Sequence, residues 1–219
     1  LILETPFITY PKMNTRSGYF KEVRTNPIER IGLNNDHFYC YPCYVGDLLA
    51  FVYVNRDFLT HGISLANLFE IAPESEAAGH KPDLLVVFGG NNHSETPEDC
   101  FYYDEENKMM VGLLSHHDCY DYFGYMKKMI LTLHNVCQIS RGYLPIHGAM
   151  VNIVLKDGKS ANVCIMGDSG AGKSESIEAF RALAEEHISD MVVVFDDMGT
   201  FRIDPETGEV KGYGTEVGA

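Results

Sequence analysis

Apolar residues along the chain follow two periods, and the exchange between them outlines the elements. Ala50–Asp57 alternates apolar and polar positions and predicts a strand. Ser64–Ile71 carries Leu65, Leu68, Phe69 and Ile71 at helical spacing. Leu84–Phe88 is a continuous apolar run closed by Gly89-Gly90, the mark of a strand buried on both faces. Phe101–Asp104 and Met109–Leu114 flank Glu105-Glu-Asn-Lys108 and predict a hairpin. From Cys119 to Ile139 the apolar positions (Tyr122, Met126, Met129, Leu133, Val136) predict one long amphipathic helix, with Asp118 as its cap. Gly142 and Pro145 stop it.

Ile146–Leu155 and Ala161–Met166 then read as strands joined by the turn Lys156-Asp-Gly-Lys-Ser160. A helix follows over residues 172–186. Met191–Asp197 reads as another buried strand that ends in two acids. Residues 1–45, rich in Pro, Asn, Tyr and Gly, predict only short strands and loops. The expected fold class is α/β in the broad sense, a mixed α+β chain. A mixed, substrate-side domain is expected over 1–140 and a nucleotide-binding domain over 141–219. The Leu1 start and the Gly212–Ala219 end predict a fragment with an incomplete second domain.

The 219 residues carry a net charge of −14, which speaks against a nucleic-acid partner because such proteins need a basic footprint. No run of eighteen apolar residues or secretory leader is present, so neither a membrane partner nor export is expected. Of the six cysteines only Cys40 and Cys43 have ligand-like spacing. With no second pair to complete a zinc site, reduced thiols in a cytoplasmic protein are expected.

The chemistry concentrates at Gly167-Asp168-Ser169-Gly170-Ala171-Gly172-Lys173-Ser174, a full match to G-x-x-x-x-G-K-[ST]. An apolar strand feeds it and a helix leaves it, so loop amides and a positive helix end face a triphosphate. Lys173 supplies a compact charge to the phosphates and Ser174 a hydroxyl to Mg²⁺. ATP and a divalent cation are the expected ligands. Of Asp196 and Asp197, at the end of the next apolar run, one is expected to hold the cation and its neighbour to act as base or second ligand. His147, on the strand before the loop strand, is a candidate ligand or acid–base group.

In order, Tyr122-Phe-Gly-Tyr-Met-Lys-Lys128, Tyr143-Leu-Pro-Ile-His147, the phosphate loop and Asp196-Asp197 resemble phosphoenolpyruvate carboxykinase of the ATP-dependent type. That resemblance covers residues 115–219. It implies Mn²⁺ held by Lys128, His147 and Asp197, with Ser174 on Mg²⁺. It further implies that Lys127 and Tyr122 face oxaloacetate or phosphoenolpyruvate, and that Arg16, in Thr15-Arg-Ser-Gly18, echoes a substrate-binding arginine. The implied reaction converts oxaloacetate and ATP to phosphoenolpyruvate, ADP and CO₂. The pattern departs from the family at Tyr125, where carboxykinases have Glu, and at Met198-Gly-Thr200, where they have Glu-His-Gly. The family's adenine contacts lie beyond Ala219, so the piece alone is expected not to turn over.

Ile146-His-Gly148, Gly167–Glu175 and Asp196-Asp197 also resemble the HPr kinase/phosphorylase family, a serine kinase, although the Met-Lys-Lys segment favours the carboxykinase likeness. A nucleotide-binding module without catalysis is the third expectation.

Overall fold

The computed structural model describes residues 10–90, 96–167 and 170–217. It is a mixed α+β chain with two sheets and few helices. In chain order the strands are β1 (Lys21–Glu22), β2 (Phe38–Val45), β3 (Leu48–Asn55), β4 (Leu84–Gly90), β5 (Asp99–Asp104), β6 (Met109–Ser115), β7 (Leu144–Leu155), β8 (Ser160–Met166), β9 (Ile188–Ile203) and β10 (Val210–Gly214). The helices are α1 (Leu59–Ser64), α2 (Glu74–Ala77), α3 (Phe123–Ser140) and α4 (Lys173–His187). Among the described residues no helix is long and apolar enough to cross a membrane.

Two compact units result: one holds Leu1–Tyr44 and Leu48–His134, the other Val45–Asp47 and Asn135–Ala219. The division falls inside α3, a few residues before the boundary expected after residue 140.

The first unit is built on a six-stranded sheet in the order β1-β5-β6-β4-β3-β2. β4 pairs in parallel with both β3 and β6, whereas β5 returns antiparallel to β6 as the expected hairpin. β4 has strands on both sides and its side chains are almost wholly buried, as a run without polar alternation requires. On one face Val87, Cys100, Leu113 and Phe38 pack with Ile28, Ile31 and Leu33. On the other, Gly112 leaves room for Met129 and Leu133 of α3, the Met129 sulfur lying 2.7 Å from where a Cβ would stand.

Two local expectations are corrected. Helical structure precedes Ser64–Ile71: Asn55 accepts from the Asp57 amide and caps a 3₁₀ turn over Arg56–Phe58, from which α1 continues. A second 3₁₀ turn, Leu65–Asn67, ends it. Ile71 is extended and bridges to Cys43, just before Pro73, where the chain favours extended geometry. The second correction concerns Asp118, which belongs to a 3₁₀ turn (Asp118–Tyr120) capped by His117; α3 itself begins at Phe123.

The second unit is an antiparallel sheet in the order β10-β9-β7-β8. Since β8 and β9 both run against β7, they are parallel to each other, and α4 is the crossover between them. Ile177, Phe180 and Ala184 of α4 pack on Ala149, Val151 and Ile153 of β7. The expectation that Met191–Asp197 is a buried strand ending in its acids is overturned. β9 runs on to Ile203 because Gly199–Ile203 pair with β10, and Val192 is 53% exposed on the face away from α4.

Asp47 anchors a polar cluster in this unit. Arg202 donates to its Oδ1 at 2.6 Å and Gln138 to the same oxygen at 2.9 Å. The guanidinium lies 4.7 Å from the ring centroids of both Tyr143 and Tyr213. Partial burial works to raise the Asp47 carboxyl, and the hydrogen bonds from Arg202 and Gln138 outweigh it, holding it below the usual carboxylate range. A depressed folded-state pKa contributes stability that is present above the unfolded value, about 3.9, and lost as pH falls through the folded value. Asp47→Asn is therefore expected to destabilise the protein at pH 7 and to flatten its loss of stability below about pH 4. The effect should be near 1 kcal/mol, since the carboxylate is 45% exposed and screened. Urea unfolding at pH 7 and pH 3 measures it, and equal losses at both pH values would refute it.

Candidate phosphate-binding site

Strand register assembles the site. Met166, the last residue of β8, pairs with Gly148 of β7, and Gly148 pairs on its other side with Asp197 of β9. His147 is opposite Met198 and Ala149 opposite Asp196. The glycine-rich loop therefore leaves the sheet beside the middle of β7, level with both acids. Gly148 is required there: a Cβ would stand 2.8 Å from the Ile165 carbonyl oxygen, a backbone atom that cannot step aside. Gly148→Ala is expected to cost about 1–3 kcal/mol in a urea melt, an overpacking penalty. An unchanged midpoint would mean that β7 and β8 can part without loss.

Gly170 and Gly172 both take left-handed φ, 80° and 86°, and Gly172 caps α4. Asp168 and Ser169 lie outside the described residues. Lys173 opens α4 and is only 8% exposed. Its Nζ donates to the Gly167 carbonyl at 3.0 Å and stands 3.4 Å from His147 Nε2. The same His147 nitrogen is 3.0 Å from Asp197 Oδ1. One ring nitrogen cannot donate to a carboxylate and accept from an ammonium together. The shorter contact runs to Asp197, so Nε2 is assigned as the donor there, and Lys173 donates to the Gly167 carbonyl. Ser174, one residue on, donates its hydroxyl to Asp196, with Oδ2 at 3.0 Å.

Consecutive strand residues point to opposite faces. Asp196, opposite Ala149, belongs to the face that α4 covers, so Asp197 belongs by alternation to the other. Asp197 instead has a left-handed backbone, φ 79°, and its carboxylate meets His147. Two adjacent carboxylates thus serve one site. The sequence shows the acid pair but nothing of this turn.

Lys173, Ser174, Gly167, His147, Asp196 and Asp197 are therefore brought together. Ala171 is exposed in the loop. Tyr122, Lys127, Lys128 and Arg16 belong to the first unit. There the segment holding Arg16 is tied to the start of α3: Met13 N donates to the Asp121 carbonyl and Ser17 N to the Tyr125 hydroxyl. Arg16 itself donates to the Gly18 carbonyl and lies over Phe20. Tyr125 is buried and fastens this segment. Lys128 is exposed and Lys127 half-buried on α3. Sequence reading missed a buried pair beside them, His61 Nε2 to Asp121 Oδ1 at 2.9 Å, because sixty residues separate the partners and no motif links them.

Among the described residues no group of three His, Cys, Asp or Glu side chains is placed to hold a metal ion unaided. Ser174 with Asp196 nonetheless fits Mg²⁺, which takes one or two protein ligands and completes its shell with phosphate oxygens and water. His147 and Asp197 offer one nitrogen and one carboxylate, a donor set suited to Mn²⁺ when a third ligand joins them. All six cysteines are free; burial pushes the Cys43 thiol up to about 12 and the Cys40 thiol to about 11, which makes both poor ligands and nucleophiles. No family model and no curated protein matches this chain.

Proposed function

We propose that the second unit binds ATP with Mg²⁺ at the Gly167–Ser174 loop, and that the protein is a cytoplasmic carboxykinase-like enzyme acting on oxaloacetate or phosphoenolpyruvate. The observation that carries the nucleotide site is the convergence of Lys173, Ser174, His147, Asp196 and Asp197 around Gly148. In this reading Lys173 gives up the Gly167 carbonyl for the β- and γ-phosphates, and Ser174 and Asp196 part to hold Mg²⁺. The resemblance adds Lys128 to His147 and Asp197 as the residues that would hold Mn²⁺. Bound metal supplies neutralisation of negative charge on the transferred phosphoryl group and on the enolate of the substrate. Lys127, Tyr122 and Arg16 face the substrate's carboxylates, which need fixed cations and hydroxyl donors. The substrate assignment rests on the resemblance of Tyr122–Lys128, not on the loop, which many ATP-using proteins share.

A second reading is a protein-serine kinase. The His147–Asp197 hydrogen bond favours it, because a carboxylate-oriented imidazole is a ready general base for a hydroxyl. Mn²⁺ titration with and without ATP separates the two. Under the carboxykinase reading Mn²⁺ binds without nucleotide, and Lys128→Ala, His147→Ala and Asp197→Ala each weaken it. Binding that needs ATP and ignores Lys128 discards that reading in favour of the kinase, to be tested with seryl peptides. A catalytically silent module remains if ATP binds and neither oxaloacetate nor seryl peptide promotes turnover.

A further inference from the structure

The parallel strands β3, β4 and β6 end at Asn55, Gly90 and Ser115, and ligands of such sheets gather outside their carboxyl ends. A hollow of about 280 Å³ opens in the first unit at this edge, beside the start of β5. Ser115, the last residue of β6, holds its wall by exchanging hydrogen bonds with the Glu98 backbone: Ser115 N donates to Glu98 O, and Glu98 N to Ser115 Oγ.

Lys21 and Arg30 line the hollow together with Glu98 and Asp99, over the apolar Val23 and Pro27. Two cations against two carboxylates is an unusual balance in a chain with 17 basic and 31 acidic residues. The cations also keep donors in reserve. Arg30 meets Glu98 through Nη2 alone, at 2.7 Å to each oxygen, and its Nη1 and Nε form no hydrogen bond among the described residues. The Lys21 side chain forms no hydrogen bond or ion pair among them either. Asp99, half-buried in the same wall, is in the opposite position: burial raises its carboxyl, and Lys21 and a backbone hydrogen bond offset this only in part, so a ligand's ammonium would be welcome there.

We infer that this hollow binds a small zwitterion of the α-amino acid class, its carboxylate on Lys21 and Arg30, its ammonium on Asp99 and its short apolar side chain over Val23 and Pro27. Neither a simple anion nor a simple cation satisfies both sides. The volume, near the lower bound of small-molecule pockets, suits a ligand of this size.

Titration of the whole chain with glycine, L-alanine and L-valine, followed by calorimetry and amide chemical shifts, tests the site. Isovalerate and isobutylamine, which lack the ammonium and the carboxylate of valine, serve as comparators. At least one amino acid is expected to saturate the site and shift amides of residues 21–30 and 97–100, at least about tenfold more tightly than either comparator. Asp99→Asn should weaken it by about tenfold or more and leave isovalerate unaffected, whereas Lys21→Ala should weaken both. Asp99→Asn keeps the side chain's size and Lys21 is exposed, and circular dichroism confirms that both variants fold. The inference is overturned if no amino acid saturates by about 10 mM, if isovalerate binds as tightly as valine, or if Asp99→Asn binds like the parent.

Discussion

Lys173→Ala is expected to abolish the response of the protein to ATP. With Mg²⁺ and ATP at about a hundred times the dissociation constant, the parent chain should gain about 2.7 kcal/mol of stability by mass action. The variant should gain at most about 0.4 kcal/mol, its affinity falling at least about a hundredfold. The side chain is 8% exposed and its ammonium is held by the Gly167 carbonyl at the mouth of the loop, so a triphosphate meets a charge already in place. Without nucleotide the loss of the bond to the Gly167 carbonyl should cost about 1 kcal/mol, a small change beside the lost ATP response. That difference separates lost binding from lost folding. Lys173→Arg should also fail, since a planar fork cannot replace a compact ammonium in so enclosed a place. Thermal melts with and without Mg·ATP decide; an unchanged ATP shift in Lys173→Ala would mean that nucleotide, if bound, sits elsewhere.

The strand Ser160–Met166 and the helix Lys173–His187 were legible because an apolar run and a helical stripe ending at the core of β7 coincide with glycines between them. What lies beside the loop was not. Met166, Gly148 and Asp197 meet through pairing across three strands, and pairing partners leave no mark on a single sequence. Asp-Asp-Met-Gly read as a strand end because acids and glycine are poor strand residues. Contacts with β7 and β10 override that preference. In the first unit the buried run of β4 was plain, whereas α1 was misplaced because the Asn55 cap, not hydrophobic spacing, sets where the chain turns. Val45–Asp47 join the second unit through Asp47 and its bonds to Gln138 and Arg202, a tie that no shift in composition announces.

At Asp197 stability and chemistry should pull apart. A left-handed backbone at a residue with a Cβ costs on the order of 1 kcal/mol, less for Asp and Asn than for Ala, and nothing for Gly. Asp197→Gly is therefore expected to be at least about 1 kcal/mol more stable than Asp197→Ala in urea, with Asp197→Asn between them. At an ordinary strand position the order of Gly and Ala would reverse, so the pair reads backbone strain and little else. Under the kinase reading all three variants should lose phosphoryl transfer by about 10²–10⁴-fold, the usual worth of a positioned acid–base group. Asp197→Asn is the informative one, since it tolerates the backbone, keeps Lys173 and the loop untouched, and should still bind Mg·ATP. Combining it with His147→Ala should add little further loss, because each substitution breaks the same 3.0 Å contact. Full additivity of the two would show that His147 and Asp197 act separately. Equal stability of the Gly and Ala variants would show that the left-handed turn is not strained, and it would then need no functional reason to persist.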